Sequence, residues 1–434
     1  MNIKKIAFLV LIGACVNGTA LYANDQIEEE SAVEKQQSDR VQKRSADLTF
    51  LYETLRTVHP DLFGRAGKDA FDRRTDEILR SIREDAISDV EFGLDLQTLV
   101  ALARDSHTSL NIGKILAKDS DIIPFALAHF EEGWTATILP KGKESYLGWQ
   151  VISLAGIPVD QVCEKMAPLF SHDNTIRLRR QFRQYVSEID ILKYCGILSG
   201  SENSIPLELQ SFASSDRVVV ALPVMRAATE DLPICRLLPA EIIQRPATDY
   251  NRKALYFWEK IDPSTLYIQY NQCRNDKKYP MEKMASEIAE TLKSNDIKKI
   301  VLDLRNNSGG SDGVIGPLMP VIEQSVKAGI PCSALLGEAT FSSATINAVM
   351  LREIGCVWVG TPTSGNANHF GSVNAFTLPN SGLSVSHSTK YINLNSYFNG
   401  GYSDSPLIPN MIVEQKLSDY LNGRDTAIDC LIKE

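Results

Sequence analysis

Two adjacent serines stand where a helix should begin. In "ATFSSATINAVMLREIG", Ala339 to Gly355, the residues Ile346, Val349, Met350 and Leu351 fall on one stripe, the spacing of a buried helix from Ser343 onward. A serine at such a start caps the helix by accepting from its first free amides, which stabilises it by about 1 kcal/mol. The same position also holds a hydroxyl beside unpaired N–H groups, where it can act as a nucleophile. Taken alone, the stretch favours the cap.

The turn "DLRNNSGG", Asp303 to Gly310, shifts that balance. It is glycine-rich and follows an apolar run, so its amides can point at an anion. It is either a tight strand-to-helix connection or an oxyanion hole in which Gly309 and Gly310 donate to a developing alkoxide. No Lys-Ser/Thr follows the glycines, which excludes a phosphate-binding P-loop. A serine nucleophile also needs a base. His107 in "DSHT" lies in a polar break between Ser106 and Thr108, which can fix its tautomer. His59, in "VHPDLF", reads as a helix terminator. A rival nucleophile is Ser311, because "GGSDG" fits G-x-S-x-G. That elbow requires Ser directly after its strand and an acid then a histidine downstream. Ser311 lies past a long turn, and only His369 or His387 could serve, so the match reads as accidental.

Positioning these groups requires several elements. "SADLTFLYETLRTV" buries Leu48, Leu51, Tyr52 and Leu55 on one helical face and stops at His59-Pro60. A second helix runs near Phe71 to Ile82, and a third opens with a capping box from Ser88 to Glu91. From about 119 the pattern turns to short strands, "TATILP", "GWQVISLAG" and "DRVVVALPV". From about 250, strands and helices alternate, which implies an α/β layer with a largely parallel sheet.

Composition narrows the partners. The 434 residues carry a net charge of −9 with no basic stripe, so nucleic acid is not expected. The start, "MNIKKIAFLVLIGACVNGTALYAND", has two lysines before an apolar run too short to span a bilayer, as in a secretory signal. Cleavage after Ala23 is the first expectation. The alternative is "IGAC", which resembles a lipobox and would make Cys15 a lipid anchor. Either implies export to the periplasm or cell envelope. The other cysteines, Cys163, Cys195, Cys235, Cys273, Cys332, Cys356 and Cys430, have no zinc-site spacing. Cys332 and Cys356 lie in strand-like runs and read as core thiols.

"DSHTSL", "IVLDLRNNSGG" and "TFSSA…GCVWVGTPTSG", in that order, resemble the carboxyl-terminal processing (tail-specific) protease family, which includes the tricorn core protease. The resemblance spans residues 46 to 430. "GWQVISLAGIPVDQV" is similar to the PDZ-like module of that family, and "PLIPNMIVE" to its "PDI-V" segment. It implies a crotonase/ClpP-like α/β catalytic core with an N-terminal helical region and a PDZ-like insert. The expected organisation is a signal peptide (1–23), a polar linker (24–44), a helical region carrying His107 (45–118), a PDZ-like, β-rich domain (119–245) and an α/β catalytic domain (246–434).

The resemblance further implies peptide-bond hydrolysis of peptide or unfolded protein substrates by a serine nucleophile, with no metal or organic cofactor. Aligning "TFSSA" on the family pattern makes Ser342 the nucleophile, with Ser343 the fallback and otherwise the cap. The family's general-base lysine corresponds to Asn366, so the tricorn-like branch is the better match, with His107 as base and Ser106 orienting it. That branch adds a carboxylate, for which Asp404 in "SDSPLIPN" is the candidate, and Asn410 stands where Asp is usual. Thr345 replaces a usual Glu. A non-catalytic peptide-binding protein on this scaffold and an esterase built on Ser311 are the alternatives.

Overall fold

The strand Thr265–Tyr270 is buried at all six positions, as expected of a strand covered on both sheet faces. Leu266, Ile268 and Tyr270 enter one core, while Tyr267 enters another with Val301, Leu335, Val359, Ile428 and Leu431. The structure, a computed structural model, describes residues 34–116, 120–226, 233–237, 252–294 and 296–433. The expected leader, its Cys15 and the 245/246 boundary lie outside the described residues.

The central sheet has six strands in the order Tyr256–Asp262, Thr265–Tyr270, Lys299–Asp303, Cys332–Leu336, Val357–Gly360 and Met411–Ile412. The first pair is an antiparallel hairpin and every later pairing is parallel. Helices Met281–Leu292, Met319–Lys327 and Ser343–Glu353 pack into the core on one face, and Thr426–Lys433 covers the other. The strand–helix alternation read from residue 250 onward therefore folds as the expected α/β layer.

A separate core joins the N-terminal helices to a seven-stranded sheet. Its helices are 34–58, Lys68–Glu84 and Asp89–Ala101. The capping box is formed: Ser88 accepts from Glu91 N, and the Glu91 side chain accepts from Ser88 N. Residues 34–44 were expected to be linker and are already helix. Arg40 pairs with Asp85, and Arg44 with Asp89 at 2.7 Å, so their charges bind the next helix pair. The strands read from residue 119 onward form Ala126–Phe130, Gly133–Pro140, Gln150–Leu154, Ser204–Gln210 and Arg217–Pro223. Three helices, Val159–Met166, Thr175–Tyr185 and Ile189–Tyr194, are inserted between these strands.

One long hairpin links the two cores. His369–Thr377 and Ser384–Ile392 leave the α/β layer as an antiparallel pair, and the second of them pairs with Ser109–Leu110, just after His107. Leu378 and Val385 enter the N-terminal core, and Asp47 accepts from Asn380 N and Ser381 N at the hairpin tip. Burying each such leucine or valine stabilises the junction by about 1.5–3 kcal/mol. Among the described residues, no helix is long and apolar enough to cross a membrane.

The strand Lys299–Asp303 ends in a buried charge cluster. Arg305 pairs with Asp303 at 2.6 Å and with Asp425 at 2.9 Å, and Tyr267 donates to Asp303. Removing Asp425 strips Arg305 of two charge-assisted hydrogen bonds and leaves it paired with Asp303 alone. Asp425→Ala is therefore predicted to lower unfolding free energy by about 3 kcal/mol, read from a urea titration. A loss below about 0.5 kcal/mol, the range of an ordinary surface change, would contradict that role.

Candidate active site

Ser342 occupies the N-cap position of Ser343–Glu353 with φ 54° and ψ −127°, and its side chain makes no capping hydrogen bond. A non-glycine residue held there costs about 1–3 kcal/mol. The backbone turns sharply there, at an elbow six residues past Leu336 where the loop enters the helix. Ser311, where the motif G-x-S-x-G fell, has φ −112° and ψ 119°, which is ordinary extended backbone. Ser343, expected as the cap, is the first helical residue instead, and its hydroxyl donates to the Gly310 carbonyl at 2.9 Å. Of the two serines, one is tied into the scaffold and the other is turned out of the capping geometry.

The glycine turn lies against this elbow. A Cβ on Gly309 would stand 2.8 Å from Ser342 Cβ and 3.1 Å from Ser343 N, so any side chain would fill the space beside the hydroxyl. A Cβ on Gly310 would come within 2.3 Å of the Cys273 carbonyl. Gly309 N–H donates to Asn307 Oδ1 at 2.9 Å, which removes it from the pair of amides expected to hold an oxyanion. Among the described residues, the N–H groups of Gly310 and Ser343 have no acceptor. The sequence could not separate Gly309 from Gly310, because the separation depends on where one asparagine side chain turns.

His107 reaches this region from the N-terminal core. Its ring stacks on Phe341, the residue before Ser342, at 4.4 Å between centroids and 23° between planes. A second histidine, His369, stacks at 5.5 Å and 14°. The His107 ring is almost sealed from solvent, yet among the described residues neither ring nitrogen has a hydrogen-bond partner. Nδ1 stands 3.7 Å from Asp105 Oδ1, an ion-pair separation.

Asp105 was not among the expected site residues. Its carboxylate accepts from His107 N (2.9 Å), Thr108 Oγ1 (2.5 Å), Ser388 Oγ (2.6 Å) and His59 Nε2 (3.2 Å). Burial alone works against its charge. The neighbouring His107 and the bonds from His59 and Ser388 outweigh burial and hold the carboxyl far below the usual range. His59 therefore does more than end a helix. Asp61 N–H donates to its Nδ1, which leaves the proton on Nε2, facing Asp105. The sequence signal was the "DSH" spacing itself, an Asp two residues before the His.

Other expected residues are engaged elsewhere. Ser106 Oγ donates to Asp173 Oδ1 at 2.6 Å rather than to the His107 ring. Asp404 pairs with Arg65 at 3.0 Å and accepts from Tyr391, with its side chain 46% exposed, so the carboxylate at His107 is Asp105. Asn366, at the family's lysine position, is buried and accepts from Asn174 Nδ2 at 2.7 Å. His387 bonds the Ser388 carbonyl. Among the described residues, no cluster of His, Cys, Asp or Glu could hold a metal.

No family model and no curated protein matches the chain. Its fold matches mature CPAF complexed with lactacystin at TM-score 0.58 and 12% identity, over 91% of this chain and 97% of that one. Mature CPAF alone matches at 0.54 and 13%, over 91% and 96%. The likeness is one of fold and runs nearly the full length of both chains.

Two predictions follow from the strain and burial at this site. Ser342→Gly should stabilise the protein by about 1 kcal/mol in thermal unfolding, since relief of the backbone strain exceeds glycine's extra chain entropy of about 0.5–1 kcal/mol. Destabilisation would mean that the turn is not strained. For His369, burial first and the nearby His107 second push the pKa down to about 4. The unfolded chain takes that proton below about pH 6.5, and the folded one only near pH 4. Stability present above pH 6.5 should thus fall by roughly 3 kcal/mol as pH drops through that window. His369→Asn should flatten this slope in urea titrations between pH 7 and pH 4, and an unchanged slope would rule out His369 as its source.

Proposed function

We propose that this chain is a serine peptidase of the tricorn-like type. One observation carries the reading: an imidazole backed by a buried carboxylate stacks on the residue next to a serine held in a strained elbow. Ser342 Oγ attacks the scissile carbonyl while His107 Nε2 takes its proton, then returns it to the leaving amine. Asp105 favours the Nδ1–H tautomer of His107 and stabilises the imidazolium that forms. Gly310 and Ser343 amides stabilise the oxyanion, helped by the positive end of the helix. His59 and Ser388 keep Asp105 charged and oriented, Ser106 acts by tying the loop to Asp173, and Asp404 has no part in the proton transfer.

The finer assignments belong to the same reading. The six-stranded layer is a crotonase/ClpP-like catalytic core, and the seven-stranded sheet, with strands from Ala126–Phe130 to Ile234–Arg236, is a PDZ-like module that presents substrate. The tricorn-like type is favoured because the base comes from the N-terminal part and Asn366 replaces the lysine. A cleft of about 1160 Å³ lined by Asp173, Asn174, Phe170 and Arg104 adjoins the His107 loop through Asp173 and Ser106, which suits an extended peptide. The apolar leader fits export, with substrate met outside the cytoplasm.

Labelling with a fluorophosphonate, read by mass spectrometry alongside hydrolysis of unfolded casein, tests the assignment. Label and hydrolysis should both vanish in Ser342→Ala and persist in Ser311→Ala. Label surviving Ser342→Ala would overturn the nucleophile. A folded wild-type chain that takes no label and cuts nothing would favour a peptide-binding scaffold, to which Asn366 in place of lysine also points.

A further inference from the structure

We propose that Cys332 and Cys356 are a disulfide-forming pair that closes the strand–helix–strand unit carrying Ser342. Cys332 begins the strand Cys332–Leu336, and Cys356 directly precedes Val357–Gly360. These strands are parallel neighbours in the register Ser333↔Val357, so the two cysteines face each other one step earlier. Neighbouring strands lie about 4.8 Å apart, within the Cα separation that a disulfide spans. The thiols point at one another with Sγ atoms 2.6 Å apart, and the residues are 2% and 4% exposed. Among the described residues, no other two thiols hydrogen-bond to each other.

The chemistry is a two-electron oxidation. The two thiols lose two protons and two electrons as the Sγ–Sγ bond forms, and a small-molecule or protein disulfide accepts them and becomes two thiols, through a mixed disulfide. The attacking group must be a thiolate, and the hydrogen bond from Cys356 together with burial pushes the Cys332 thiol well up. Exchange is therefore slow once the unit is packed, and the bond closes while the chain folds. The link lies at the foot of the unit, at the end of the helix away from Ser342. It ties the two strands that flank the helix, so the strained turn at its other end cannot relax by separation of the strands.

Peptide mapping tests this independently of any catalytic role. The denatured, reduced full-length chain is refolded in oxidised and reduced glutathione, free thiols are blocked with iodoacetamide, and the soluble protein is cut with trypsin without reductant. Trypsin cleaves after Lys327, Arg352 and Lys390, so the two cysteines fall on separate peptides, 328–352 and 353–390. The expected product is those peptides linked, two hydrogens lighter than their sum. Recovery of both as separate alkylated peptides overturns the proposal. As a second readout, dithiothreitol should lower the Tm of the oxidised chain by a few degrees and leave the C332S/C356S double variant unmoved. An equal shift in the double variant would assign the effect to another cysteine and refute the pair.

Discussion

The stacking of His107 on Phe341 is the contact on which the site depends. The histidine lies between the N-terminal helix Asp89–Ala101 and the strand Ser109–Leu110, and the phenylalanine in the loop that leads into the helix of Ser342. Together they define a site only because the hairpin 369–392 pairs with Ser109–Leu110 and draws the two cores together. The same hairpin delivers Ser388 to Asp105 and His369 to the open side of His107. One element thus docks the cores and completes the surroundings of His107.

That arrangement costs stability. A buried imidazole with two unpartnered nitrogens and a serine with positive φ both cost free energy. The scaffold around them is correspondingly over-determined. Asn307 bonds Gly309 N and the Tyr270 carbonyl, its own carbonyl accepts from Phe341 N, and Ser343 bonds the Gly310 carbonyl. Arg305 anchors the same turn to Asp425 near the C-terminal helix. These neutral and paired groups hold the glycine turn and the elbow in one relation, so that two amides stay free beside the hydroxyl.

Much of this was legible in the residues. Strand–helix alternation, the capping box and the stop at His59-Pro60 all rest on local patterns of 2 or 3.6 residues, and each reappears in the fold. The elbow was legible only as a choice between capping and attack, because φ at Ser342 is set by packing against Gly309. The carboxylate at His107 was sought far along the chain at Asp404, yet it lies two residues before the histidine. A turn that folds back on itself leaves no periodic signal. His59 does end its helix, but its second role escaped for a related reason: a residue before proline ends a helix whatever its ring touches, and its partner Asp105 is 46 positions away. Charged residues 34–44 read as linker because their partners, Asp85 and Asp89, belong to other helices.

The central claim is that His107 activates Ser342. It is tested most directly by the rate at which a fluorophosphonate modifies Ser342 across pH 5 to 9, in wild type and in His107→Gln. The account predicts a rate that rises with deprotonation of one imidazole in wild type and falls by about 10²–10⁴-fold, losing that pH step, in the variant. Equal rates and equal pH profiles in the two proteins would contradict it.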